Sequence, residues 1–182
     1  PWMVDWPRRQ VTDHLLDGRN LALVVRRQSP PSIPCHFFWV TDAITLDGVI
    51  RSDNRGSESL FPLFLKNRDN RQAVGTTRDV NFTVRFVRDV GTRTGLTWTP
   101  EGIAGPHRFT PHNLFHYIYA LFCAPSYRSR FADYLRVDFP RILITRDRQL
   151  VHNLARLGAA LVTAHLRPEE IASLECQTTT SM

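Results

Sequence analysis

A chain of 182 residues, 42% hydrophobic and 22% charged, has the length and apolar content to bury one full core. No apolar run approaches the length of a membrane-crossing helix. Cys35, Cys123 and Cys176 are odd in number, far apart and without CxxC spacing, which argues against a disulfide scaffold or structural zinc and for a reducing, cytoplasmic setting. The chain begins at Pro1 without an initiator Met or a signal sequence, which suggests a piece of a longer protein.

In chain order, Arg8–Leu16 reads as a short helix with Val11, Leu15 and Leu16 on one side, and Asp17-Gly18 as a turn. Leu21–Val25 (LALVV) is a continuous apolar run, as in a strand covered on both faces. After Arg26-Arg27-Gln28 and a Pro-rich loop, Phe37–Val40 predicts a second strand. Leu60–Leu65 (LFPLFL) predicts a third, at an edge or bulge because of Pro62. The polar stretches Arg51–Ser59 and Lys66–Arg78 read as loops. Thr83 caps a helix from Val84 to about Thr94 that ends at Gly95, and Thr97–Phe109 reads as another loop.

From Thr110-Pro111, an N-cap with Pro at the first helical position, the chain turns helical. Leu114, Ile118, Leu121 and Phe122 recur at helical spacing, with Phe115 and Tyr119 on another face, so this helix should be buried nearly all round. Ala124-Pro125 breaks it, Ser126 is the expected cap of a helix over Tyr127–Arg136, and Asp138–Arg141 reads as an extended link. Leu150, Leu154, Leu157 and Leu161 mark a last helix to about Leu166. Strands first and helices last predict an α+β class: a mixed sheet with polar recognition loops, then a helical C-terminal subdomain. The expected division is 1–108 for the mixed part, 109–167 for the helical part and 168–182 for a fraying tail.

The charge is unevenly placed. Residues 1–50 carry five Arg against five acids, residues 51–88 eight basic groups against four acids, and the remainder ten against eight. The excess thus falls on the two polar middle loops, as a polyanion-binding surface would require. All basic residues except Lys66 are arginine, which suits bidentate recognition of phosphate or guanine, though a GC-rich genome gives the same bias. The candidate DNA-binding residues are Arg26, Arg27 and Gln28 at the end of LALVV, Arg51, Asn54 and Arg55 in the first loop, and Lys66, Asn67, Arg68, Asn70, Arg71, Gln72 and Arg78 in the second. Arg85 and Arg88 are further candidates for phosphates, or face only water.

Catalytic patterns are missing. There is no Gly-rich cofactor loop, no Asn/Asp-Pro-Pro-Tyr/Phe segment and no GxxxxGK[ST] loop, and a single lysine does not make a nuclease centre. His112 and His116 have metal-capable spacing, but Asn113 stands where HExxH needs Glu, and a solvated or core-edge pair is the expected reading.

Two stretches resemble a known family: DWPRRQVTDHLLDGRNLALVVRRQ with FFWVTDAITLDGVIRS and LFPLFL, and FTPHNLFHYIYALFCAPSYRSRFADYLRVDFPRI with LARLGAALVTAHL. Both are similar to the C-terminal specificity domain of type ISP restriction-modification enzymes and related adenine-N6 methyltransferases. The departures are Phe122-Cys123-Ala124-Pro125 in place of Leu-His-Ser-Pro, and Ile142-Leu143 after Arg141 where Ile-Pro is common. The resemblance implies sequence-specific double-stranded DNA binding in bacterial defence. It also implies a non-catalytic piece whose partners are DNA and the methyltransferase domain of the same parent chain. S-adenosylmethionine, Mg²⁺ and ATP would serve other parts of that parent, and this piece would bind none. In this reading Tyr127, Phe131, Tyr134 and Leu135 form scaffold, with Arg128 and Arg141 tying helices or touching phosphate. The alternative is a protein-interaction or assembly module without DNA contact.

Overall fold

A computed structural model of the chain describes residues 12–28, 36–45, 58–66 and 78–169. The α+β class holds, with the strands divided among three small sheets rather than joined in one. The first sheet is antiparallel, ordered β2-β1-β3, from β1 (Ala22–Val25), β2 (Phe38–Thr41) and β3 (Ser59–Pro62). Val25 pairs with Phe38 and Ser59, and Ala22 with Thr41 and Pro62. The unbroken apolar run of β1 is explained by its central place: Ala22, Val24 and Val25 are all buried. Pro62, with no N–H for a ladder, lies on an edge strand as expected.

The LFPLFL run is not one strand. It leaves the first sheet after Pro62, and β4 (Phe64–Lys66) pairs instead with β5 (Arg78–Val80), a strand lying partly inside the expected loop. Buried amides hold the crossing. Leu63 N–H donates to Leu21 O at 2.7 Å and Asn81 N–H to Leu63 O at 2.9 Å. The Asn20 side chain, 3% exposed, donates to His14 O and Phe64 O and accepts from Phe64 N–H. Every polar atom of that amide is thereby used, which is what permits its burial.

Helix α1 (Val84–Thr94) begins and ends where the sequence indicates: Thr83 Oγ1 accepts from Phe86 N–H, and Gly95 stops it at φ 67°. The expected loop that follows contains a short parallel pair, β6 (Thr97–Trp98) and β7 (Arg108–Phe109). Helix α2 (Pro111–Cys123) starts in a capping box between Thr110 and Asn113, with Pro111 in its first turn. The next helical stretch differs from expectation. Pro125 itself opens α3 (Pro125–Arg130), Ala124 is the N-cap in place of Ser126, and Phe131 separates α3 from α4 (Ala132–Leu135). Tyr117 and Tyr127 tie the extended link to the helices by donating to Leu143 O at 2.6 Å and Arg141 O at 2.9 Å.

Helix α5 (Arg148–Leu166) packs along α2 through Val151, Ala155, Gly158 and Val162. Half of the leucine stripe faces outward: Leu150 is 41% and Leu157 49% exposed, while Leu154 and Leu161 are partly buried against the core. The reason is close approach. A Cβ on Gly158 would fall 1.9 Å from the backbone oxygen of His116, so small residues take the contact and leucines flank it. The larger core cluster joins Val25 and Phe38 of the sheet to Phe122, Tyr127 and Ala155 of the helices. The arginine-bearing ends of β1 are therefore mounted on a helical platform.

Candidate nucleic-acid interface

The structure describes five of the thirteen candidate residues and divides them between the two ends of β1. Arg51, Asn54, Arg55, Asn67, Arg68, Asn70, Arg71 and Gln72 lie outside the described residues.

At the N-terminal end, Lys66 and Arg78 are cross-strand partners in the β4–β5 ladder. Two cations directly opposite each other repel. Asp17 relieves this, with Oδ2 bonded by the Arg78 guanidinium and lying 3.5 Å from Lys66 Nζ. Arg78 also donates to Arg19 O at 3.0 Å, and Lys66 N–H donates to His14 Nδ1 at 2.9 Å. Asp17 is positioned by the predicted turn, in which Gly18 has φ 61° and Arg19 N–H donates back to the carboxylate at 3.2 Å. Burial pushes the Asp17 carboxyl up, but the Arg19 N–H, Arg78 and Lys66 together hold it below the ordinary aspartate value. Lys66 and Arg78, both mostly covered, anchor the base of the hairpin whose connection is residues 67–77.

At the C-terminal end the chain alternates. Arg26 turns inward, 6% exposed, with Nε donating to Gln28 O at 3.0 Å and its guanidinium 3.9 Å from Glu58. Arg27 turns outward, its side chain 67% exposed and its Nε 3.6 Å from Asp138 Oδ1. Gln28 Nε2 reaches Val137 O at 3.5 Å. Asp138 already accepts from Phe139 N–H at 2.8 Å and Tyr134 O–H at 3.2 Å. Arg141 stacks over the Tyr134 ring, 4.5 Å to its centroid, and its Nε donates to the Tyr134 hydroxyl at 2.5 Å. The Phe139 N–H, more than Tyr134 or the two arginines, holds the Asp138 carboxyl below its ordinary range.

The remaining candidates fall elsewhere. Arg85 and Arg88 are exposed on α1, where Arg88 borders an open, mostly apolar cleft of about 600 Å³ beside Phe82 and Trp98. His116 is half-buried, and burial, followed by neighbouring His112, lowers its pKa to about 4, so it is neutral near pH 7. Among the described residues no group of His, Cys, Asp and Glu could hold a metal ion, and no helix is long and apolar enough to cross a membrane.

The sequence model of the type ISP C-terminal specificity domain matches residues 1–181. The chain belongs to that family. No curated protein and no solved structure matches it. A specificity domain is the part of a type ISP restriction-modification enzyme concerned with target recognition, and such domains are generally non-catalytic. Within this specificity domain two features were not read from the sequence. Asp17 is the anchor of the Lys66–Arg78 hairpin, where the dipeptide Asp17-Gly18 indicates only a turn. Asp138, Tyr134 and Arg141 form a network beside Arg27, where the sequence indicates Tyr134 only as helix core and Arg141 only as a helix tie or a phosphate contact.

Proposed function

We propose that this specificity domain binds double-stranded DNA sequence-specifically, as the target-recognition domain of a bacterial restriction-modification enzyme. The adenine methyltransferase and nuclease chemistry, with its S-adenosylmethionine, Mg²⁺ and ATP, would reside elsewhere in the parent chain. The family match over residues 1–181 carries this reading. The charge distribution supports it: eight basic groups against four acids in residues 51–88, the stretch that includes the two polar connections. Residues 1–108 would supply recognition and 109–167 the support beneath it.

Base reading is assigned to Arg51, Asn54 and Arg55, and to Asn67, Arg68, Asn70, Arg71 and Gln72. Arg and Asn/Gln side chains pair bidentately with guanine and adenine edges, and each such contact contributes about 1–3 kcal/mol of discrimination. Lys66 and Arg78 would act by fixing the base of the second connection, and Arg26 by fixing the end of β1.

The test is a combined Arg51→Ala, Arg55→Ala, Arg68→Ala and Arg71→Ala variant in the intact enzyme. Site-specific methylation should be lost; methylation at the wild-type level would overturn the assignment. A docking role for the helical part has one observation in its favour, the exposure of Leu150 and Leu157 on α5. A duplex titration separates the readings, because only phosphate contacts impose a steep fall in affinity with salt.

A further inference from the structure

We infer that Arg27 and Arg141, bridged by Asp138 and Tyr134, form a second contact surface that grips the phosphate backbone of the duplex, apart from the base-reading connections. This rests on the DNA-binding reading and adds to it a place and a chemistry: the C-terminal end of β1 against the 134–141 segment, with phosphodiester oxygens as the ligand.

Arg27 is 67% exposed, and its guanidinium stands 3.6 Å from Asp138, beyond hydrogen-bond reach. Asp138 does not depend on it, since one of its oxygens takes the Phe139 N–H and the other the Tyr134 hydroxyl. An exposed pair this loose is easily exchanged, and a phosphate oxygen can replace the carboxylate at Arg27 without leaving Asp138 unsatisfied. Arg141 is held differently. Its Nε is committed to Tyr134 and its plane is stacked on the ring, and among the described residues it makes no ion pair. The same carboxylate interacts with both arginines and is held in its charged form by the Phe139 N–H. Asp138 thus orients Arg27 in the free protein and competes with phosphate for it.

The two ends of β1 differ in this respect. Lys66 and Arg78 are fixed on Asp17, mostly covered, with Arg78 also bonded to a backbone carbonyl. Arg26 is buried beside Glu58. Of the five described candidates, Arg27 is the cation both exposed and loosely held.

The experiment measures binding of the full chain to a fluorescently labelled, mixed-sequence DNA duplex across a salt series, for wild type, Arg27→Gln, Arg27→Gln/Arg141→Gln and Asp138→Asn. Removing one phosphate-binding arginine should lower the slope of log affinity against log salt by about one, so that a fourfold rise in salt weakens binding by roughly 3.5-fold less for each arginine removed. Asp138→Asn should move the other way and tighten binding, because it removes the competing charge while keeping an acceptor for Phe139 N–H. A merely structural network would lose affinity in all three variants with the slope unchanged, and that result overturns the proposal. Wild-type slope and affinity in both arginine variants overturn it too, and leave the DNA-binding reading standing. No salt-dependent binding by wild type removes both. Folding is secured by the single Arg27→Gln variant, whose side chain lies mostly in water, so a fault introduced at Arg141 does not decide the outcome.

Discussion

The two ends of β1 use the same chemistry, arginine beside aspartate, to opposite effect. At the Asp17 end two cations that would repel across a hairpin share one carboxylate, and the pairing settles where the β4–β5 strands sit. At the Asp138 end the carboxylate is satisfied by a backbone N–H and a tyrosine, and the cation stands off in solvent. What separates an architectural ion pair from an available charge is whether each partner's remaining hydrogen-bonding groups are already used, together with its burial.

The largest effect should come from beneath both ends. Gly158→Ala puts a methyl 1.9 Å from His116 O and 2.6 Å from its carbonyl carbon, backbone atoms that yield only if α2 and α5 separate. Alanine gains about 1 kcal/mol of helix propensity over glycine. Forcing the helices apart, at the upper end of the usual overpacking cost of about 3 kcal/mol, should outweigh this and leave a net loss of about 2 kcal/mol, read as a lower urea midpoint. A more stable Gly158→Ala protein would mean that the helices do not meet there, and the common platform beneath the two ends would be lost.

A smaller effect belongs to the Asp17 end alone. Asp17→Asn leaves Lys66 facing Arg78 without a counter-charge and should destabilise by about 1 kcal/mol at pH 7. The pH profile carries the sign. The folded carboxyl titrates below its ordinary value of 3.8, so its contribution is complete above that pH and is lost as pH falls through the folded pKa. Wild type and Asp17→Asn should therefore differ near neutrality, begin to converge below about pH 4 and coincide only once the pH is below the folded pKa. A difference that persists unchanged into strong acid would show that the asparagine acts through packing rather than charge.

Much of the fold was legible because its signals are local. The cap at Thr83, the stop at Gly95, the Thr110-Pro111 start and the apolar β1 are set by residues a few positions apart. What was not legible depends on distant partners. LFPLFL splits because Asn20, Leu21 and Asn81 bond its backbone at the crossing, and none of these lies within the run. The leucine spacing marks α5 as a helix but not its seam, because the buried contact is chosen by size and includes Gly158. The candidate interface follows the same division. Charge counting points to the basic stretch, but the roles of Lys66 and Arg78 are set by Asp17, which lies 61 positions before Arg78 and stands 3.5 Å from Lys66 Nζ. Nor does sequence say which of two adjacent arginines turns inward: Arg26 meets Glu58 because Val25 pairs with Ser59 and brings the neighbouring acid to the same end of the sheet.

The smallest expected effect discriminates best. Arg27→Gln should leave the urea midpoint at pH 7 where it was, in contrast with Asp17→Asn. Glutamine keeps most of the length of the side chain, the arginine lies mostly in water, and the carboxylate it faces retains both of its hydrogen-bond donors. Surface pairs of this geometry contribute little to folding, because ordering two long side chains and displacing water offset the attraction. Adding Asp138→Asn to Arg27→Gln should shift the midpoint no further than Asp138→Asn alone, so the pair shows no coupling in stability. Measured coupling between the two positions would make this end as architectural as the other, and Arg27 would no longer be available for a phosphate. Silence in folding with a changed salt dependence of duplex binding would instead show that the same two atom types, differently satisfied, support structure at one end of β1 and recognition at the other.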